Sequence, residues 1–166
     1  QQVMPPDLWL LFAPVKKART DFIVEKAVEL GVARIQPVTT DFTNAERVNV
    51  ERLQAHAREA AEQCGAVFVP TVAAPARLAQ VLDRWDDRPV WFCDETLAGV
   101  GAAPAGPVPA GAVLIGPEGG FSSAERDRLR AAPFATPVAL GPRILRADTA
   151  AVAALTLWQA TNGDWR

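Results

Sequence analysis

The sequence is poor in the residues from which metal and redox centres are built. Its 166 residues include one histidine, His56, and two cysteines, Cys64 and Cys93. The cysteines stand far apart and match no metal-ligand spacing, so no metal centre is expected. Two buried, reduced thiols in a cytoplasmic protein are expected instead of a disulfide. His56 falls beside the apolar stripe of a predicted helix, with no serine, cysteine or aspartate constellation about it, so no nucleophilic triad is in prospect. An excess of charge of one sign is missing too. Lys and Arg number 17 against 19 Asp and Glu, a net charge of −2. Bulk charge therefore announces no nucleic-acid binder, although a local basic stripe can serve one. No apolar run approaches the roughly 20 residues of a membrane span. No basic, apolar and small-residue leader opens the chain, and no segment repeats at a fixed period. The first residue is Gln1 rather than Met, and an upstream segment is expected.

What is present is an ordinary globular mixture, 49% hydrophobic and 22% charged, enough for one domain with its own core. Strand and helix patterns alternate along it. Leu8 to Ala13 reads as a strand, Lys16 to Arg19 as a loop, and Thr20 to Leu30 as a helix with Ile23, Ala27 and Leu30 on one face and Gly31 as its terminator. Val32 to Val38 is a second strand. Val50 to Cys64 repeats at three- and four-residue steps and is closed by Gly65. Val67 to Val69 reads as a short strand, Arg77 to Trp85 as a helix, and Pro89 to Cys93 as a strand. Gly99 to Gly111, rich in Ala, Pro and Gly, reads as a mobile loop. This alternation implies a mostly parallel sheet covered on both faces.

Two strand–loop–helix units close the chain. Ala112 to Ile115 is a continuous apolar run suited to a strand buried on both faces, followed by the loop Gly116-Pro117-Glu118-Gly119-Gly120. Ser122 and Glu125 then fit a capping box that starts a helix. Val138 to Leu140 is the second strand, followed by Gly141 to Arg146 and an Ala-rich helix entered through an Asp148–Thr149 N-cap pair. Both loops sit where open α/β sheets bind ligands, at the carboxyl ends of strands. The glycine loop is neither a P-loop nor a Gly-x-Gly-x-x-Gly fingerprint, and it reads either as a ligand cradle or as a tight turn. Glu118 can bind a ligand hydroxyl, act as a base, or simply be solvated. Arg143 and Arg146 suit a phosphate or a developing anion, or alternatively salt bridges to Asp148 or Glu118. Lys16, Lys17 and Arg19 read as a solvated patch or as phosphate contacts.

Leu114-Ile115-Gly116-Pro117-Glu118-Gly119-Gly120-Phe121-Ser122 and Leu140-Gly141-Pro142-Arg143-Ile144-Leu145-Arg146-Ala147-Asp148-Thr149-Ala150 together resemble the signature of the RsmE family. These are SPOUT-class methyltransferases that methylate N3 of a uridine in small-subunit (16S) ribosomal RNA. Phe22 to Val32, Glu59 to Cys64 and Gln159 to Trp165 resemble the family as well. The chain departs from it at Phe42 and at Ala66, where family members commonly carry Arg. The resemblance implies a SPOUT α/β fold, a mostly parallel sheet with helices on both faces and a C-terminal trefoil knot holding S-adenosylmethionine. Cofactor contacts are then expected from Asp94, from Ile115, Gly116, Pro117, Glu118 and Gly119, and from Leu140, Gly141, Ile144, Leu145 and Thr149. It further implies catalytic roles for Arg146 and Glu118, and RNA contacts from Lys16, Lys17, Arg19 and Arg143. The implied partners are the small-subunit RNA, in the assembled subunit, and a second copy of the chain. The homodimer would form through the C-terminal helix with Leu155 and Trp158. No metal and no membrane are expected. The family carries a PUA-like RNA-binding barrel ahead of the catalytic domain. Nothing here corresponds to it, so residues 1–166 are expected to be the methyltransferase domain alone. Competing readings are a SPOUT enzyme acting on a ribose 2′-hydroxyl or another base, a nucleotide-binding module without catalysis, and a domain that only assembles on ribosomal RNA.

Overall fold

The structure, a computed structural model, describes residues 4–44, 47–97 and 107–166. Its centre is a seven-stranded sheet in which every pairing is parallel. The strands are β1 (Asp7–Phe12), β2 (Arg34–Thr39), β3 (Thr71–Val72), β4 (Ala76–Arg77), β5 (Val90–Cys93), β6 (Ala110–Ile115) and β7 (Ala135–Val138). They run in the order β3-β2-β1-β6-β5-β7, with β4 also paired to β2. The helices are α1 (Lys17–Glu29), α2 (Val50–Cys64), α3 (Leu78–Asp83), α4 (Ser123–Ala131) and α5 (Ala147–Asn162).

Strand alternation sorts the core into two layers. Leu8, Leu10, Phe12, Trp91, Val113 and Ile115 face α1, α2 and α5. Leu11, Phe92, Ala112 and Leu114 face α3, α4 and Phe121. Ala112 to Ile115 are each at most 2% exposed, which is why the run carries no polar alternation. The expected two-sided, mostly parallel architecture is the one observed. Among the described residues, no helix is long and apolar enough to cross a membrane.

Several boundaries move, each for a local reason. Helix α1 begins at Lys17, so Lys17 and Arg19 lie in its first turn rather than in a loop. The cause is Thr20, whose buried hydroxyl donates to Val15 O at 2.9 Å and accepts from Val15 N–H at 3.0 Å, winding the chain early. The strand expected at Val67 to Val69 lies instead at Thr71–Val72. There the amide of Gln54 on α2 bonds Pro70 O and Val72 N–H, both at 2.9 Å, and holds that dipeptide against β2. The helix expected over Arg77 to Trp85 is confined to Leu78–Asp83, because Arg77 pairs in β4. β7 is Ala135–Val138 rather than Val138 to Leu140, because its register against β5 runs from Ala135 opposite Val90 to Val138 opposite Cys93. Pro137 is tolerated because β7 is an edge strand. β6 starts at Ala110, and Gly111 is part of it. The Trp158 indole packs so closely there that a Cβ would meet its Nε1 at 2.8 Å. Of the expected Gly99–Gly111 loop, residues 99–106 lie outside the described residues.

The end of the chain is pinned by buried polar groups. Gln159, fully buried, donates from Nε2 to Leu30 O at 2.5 Å and accepts from Asp164 N–H at 3.1 Å. Leu155 and Trp158 are buried within the chain itself, so they are not available to a second copy. The N-cap of α5 is Arg146, not the Asp148–Thr149 pair. Asp148 falls in the first helical turn, where a carboxylate complements the helix dipole. Both cysteines are free, but Cys64 is exposed rather than buried and Cys93 is half-buried.

Candidate active site

The carboxyl ends of β1, β5, β6 and β7 surround one cleft of about 490 Å³, large enough for a nucleoside-sized ligand. Three loops and the start of α1 wall it. The loop after β5 is fixed by Asp94, whose side chain is 1% exposed. One carboxylate oxygen accepts from the Thr96 N–H at 3.0 Å and the Thr96 hydroxyl at 2.6 Å, and the other from Arg130 Nη2 at 2.7 Å. Burial pushes the Asp94 pKa up, but the Thr96 bonds and Arg130 outweigh it and hold the carboxyl below its ordinary value. Asp94 thus lines the cleft with its acceptors already engaged, shaping the loop rather than offering a free carboxylate. Its neighbour Cys93 is a neutral wall, since burial pushes the thiol up to about 12.

The glycine loop after β6 is laid down by close packing. A Cβ on Gly116 would meet the Phe121 ring at 3.1 to 3.3 Å, and Phe121 in turn meets Phe92 edge-on at 6.4 Å between ring centroids. Gly120 takes φ +73°, with the Glu95 carboxylate over it. Gly119 faces Phe42. The capping box expected at Ser122 and Glu125 is present. Asp41 ties it to the loop after β2, donating its N–H to Glu125 Oε2 at 3.1 Å and accepting from the Ser122 hydroxyl at 2.5 Å.

The cations gather around this frame. Arg19 on α1 pairs with Glu118, and its Nη1 is buried without a hydrogen-bond partner among the described residues. Lys16, Arg143 and Arg146 line the same cleft. Neither Arg143 nor Arg146 forms a salt bridge among the described residues, and the bridges considered to Asp148 or Glu118 are not made.

Of the residues anticipated from sequence, Asp94, Ile115, Gly116, Pro117 and Glu118 line the cleft on one side, and Leu140, Ile144, Leu145 and Arg146 on the other. Lys17, Gly119, Gly141 and Thr149 are not among the lining residues. Lys17 is exposed on the first turn of α1, Gly141 makes a turn at φ +85°, and Thr149 is exposed on α5. Sequence reasoning missed Glu95, Phe121, Ala147 and Ala150, all of which line the cleft. The i, i+3 spacing of the two alanines at the start of α5 was the available signal for that face. His56 lies on α2, its Nε2 3.8 Å from a Glu25 carboxylate oxygen of α1, away from the cleft. Among the described residues no cluster of histidine, cysteine and carboxylate side chains could hold a metal ion.

A parallel sheet with a glycine-rich loop and a pocket of mixed apolar and charged lining at its carboxyl edge defines an α/β domain of the nucleotide- or cofactor-binding class. Comparison with known proteins narrows it. The RNA methyltransferase domain family matches residues 3–159. The ribosomal RNA small subunit methyltransferase E of Synechocystis is 34% identical over 163 residues, covering 93% of this chain and 54% of that protein. Its counterpart from Buchnera aphidicola of Acyrthosiphon pisum is 28% identical over 159 residues, covering 91% and 62%. Among solved structures, the ribosomal RNA small subunit methyltransferase E of Neisseria gonorrhoeae, bound to S-adenosyl methionine, superposes with a TM-score of 0.82. It is 31% identical, with 98% of this chain and 69% of that one covered. This chain belongs to the RNA methyltransferase domain family, in its ribosomal RNA small subunit methyltransferase E branch. It spans between 54% and 62% of the length of the two curated relatives described.

Proposed function

We propose that this domain transfers a methyl group from S-adenosylmethionine to N3 of a uridine in small-subunit ribosomal RNA. The observation that carries the reading is the cleft itself, where glycine backbone and apolar side chains meet unpaired arginines. The donor set suits the cofactor. Ile115, Val138, Leu140 and Leu145 offer apolar surface for a purine, and the Glu95 carboxylate suits a cationic ligand. When bound, the cofactor supplies an activated methyl group. The protein has then chiefly to align the acceptor and manage its proton.

Uridine N3 carries a proton at neutral pH, so its removal leaves an anion that a nearby cation stabilises. Arg146, at the N-cap of α5 and facing the cleft, is assigned that role. Arg143, Lys16 and Arg19 hold RNA phosphate. The Glu118 carboxylate is already engaged by Arg19, so it serves to hold that cation and the glycine loop in place, and is poorly disposed as a free base. Homodimerisation is assigned to the outer stripe of α5, Thr149, Ala153, Thr156 and Ala160, because the inner face is consumed by the core.

Calorimetric titration of the 166-residue chain with S-adenosylmethionine, alongside NAD and ATP, tests the pocket. Selective micromolar binding is expected, and no binding by the folded chain ends the methyltransferase reading. Nucleoside mass spectrometry of treated small-subunit RNA then fixes the methylated atom, a 2′-O-methyl product removing the N3 assignment. Arg146→Ala is expected to abolish methylation with cofactor affinity within a few fold, and unchanged turnover removes Arg146 from the mechanism. The same assays show whether the domain acts by itself.

A further inference from the structure

We propose that Phe42 is a stacking platform for an unpaired RNA base at the rim of the cleft, an inference that rests on the methyltransferase reading above. Its side chain is 51% exposed, yet the loop that carries it is tightly held. The Thr40 N–H donates to the Thr43 hydroxyl at 2.8 Å, the two threonine hydroxyls bond at 2.8 Å, and the Thr43 N–H reaches Thr40 O at 3.2 Å. Asp41, the preceding residue, is bound at both its N–H and its carboxylate to the Ser122–Glu125 cap of α4. On the other side Phe42 Cβ rests on the glycine loop, 3.3 Å from where a Gly119 side chain would begin. The residue is thus anchored at its root while half its surface stays open to solvent.

Its neighbours define what the open surface meets. Gly119 sits between Glu118 and Gly120, both of which line the cleft, and Glu118 carries the Arg19 guanidinium. Arg143 and Arg146 supply cations from the loop after β7. A single strand that presents one base to this cleft finds cations for its phosphates and an aromatic plane beside the entrance. Aromatic stacking is tolerant of base identity, so Phe42 positions the strand without reading its sequence. Apolar exposure by itself would suit a protein partner equally. The four cations that line the same cleft, Lys16, Arg19, Arg143 and Arg146, outnumber its three carboxylates and favour a polyanion.

The test compares the full chain with Phe42→Leu, which keeps an apolar contact with Gly119 and removes the π face, and with Phe42→Trp, which keeps the face. The readouts are binding of a labelled oligouridine, steady-state methylation of small-subunit RNA, cofactor affinity and thermal melting. Phe42→Leu is expected to weaken oligouridine binding by about 5- to 140-fold. The RNA KM should rise correspondingly, with kcat changed by no more than about two-fold. Cofactor affinity and Tm should hold, and Phe42→Trp should restore binding. Wild-type affinity for oligouridine in Phe42→Leu overturns the proposal and leaves the methyltransferase reading intact. A parallel loss of cofactor affinity and Tm overturns it in favour of simple packing on Gly119. A change in oligomeric mass with RNA binding unchanged overturns it in favour of a protein contact. Failure of the wild-type chain to bind oligouridine also overturns it, and failure to bind S-adenosylmethionine removes the methyltransferase reading along with it.

Discussion

Replacing Asp94 with asparagine asks whether the loop that walls the cleft after β5 is held by charge. The carboxylate, 1% exposed, accepts from the Thr96 N–H, the Thr96 hydroxyl and Arg130. Asparagine preserves the shape but keeps a single acceptor oxygen, so its amide must face a donor on one side. A hydrogen bond to a charged group contributes about 1.5–3 kcal/mol. The Arg130 side chain is 47% exposed, so its share is screened by solvent and belongs at the low end. The expected loss is about 2–3 kcal/mol at neutral pH, or roughly 4–12 °C in Tm for a domain of this size. The effect carries a pH signature. The folded pKa of Asp94 lies below its ordinary 3.8. A group depressed in this way stabilises the fold above its unfolded pKa and loses that contribution as pH falls through the folded value. Wild-type and Asp94→Asn melting curves, followed by circular dichroism, should therefore stand apart from pH 7 to about pH 5 and converge below about pH 4. Equal melting at pH 7, or a gap that persists unchanged at the lowest pH where both fold, would refute the reasoning.

Gly116→Val places a branched side chain against Phe121, whose ring lies 3.1 to 3.3 Å from the new Cβ. Overpacking of this kind costs about 1–3 kcal/mol, and titration calorimetry should show cofactor affinity reduced along with Tm, since Phe121 also lines the cleft. Gln159→Leu leaves Leu30 O and Asp164 N–H without their buried partner. Denaturant unfolding should show a loss of about 1–3 kcal/mol, with hydrogen exchange rising first at the amides after Gln159.

How much of this was legible in advance depended on how local each determinant is. Val50–Cys64, with Gly65 beyond it, was readable to the residue. An amphipathic repeat and a left-handed terminator at φ +71° are properties of one segment. The Ser122–Glu125 capping box was readable for the same reason. The strand at Ala135–Val138 was not, because its extent is set by pairing with Val90–Cys93 across the sheet. Nor was the early start of α1, which depends on a single threonine folding back on Val15.

The site divides along the same line. The two glycine loops and their place at the carboxyl ends of strands are written in the sequence, because glycine, proline and apolar runs act on the backbone where they stand. Sequence could name Glu118, Arg19, Arg143 and Arg146 as functional candidates, but could not say which carboxylate meets which guanidinium. Folding decided that Arg19, 99 residues earlier in the chain (118 − 19), takes Glu118, and that Arg143 and Arg146 stay unbridged among the described residues. It also decided that Asp94 spends its oxygens on Thr96 and Arg130, and that Leu155 and Trp158 turn into the core. A side chain's neighbours at long sequence separation are set by sheet register and helix docking, which no single segment contains.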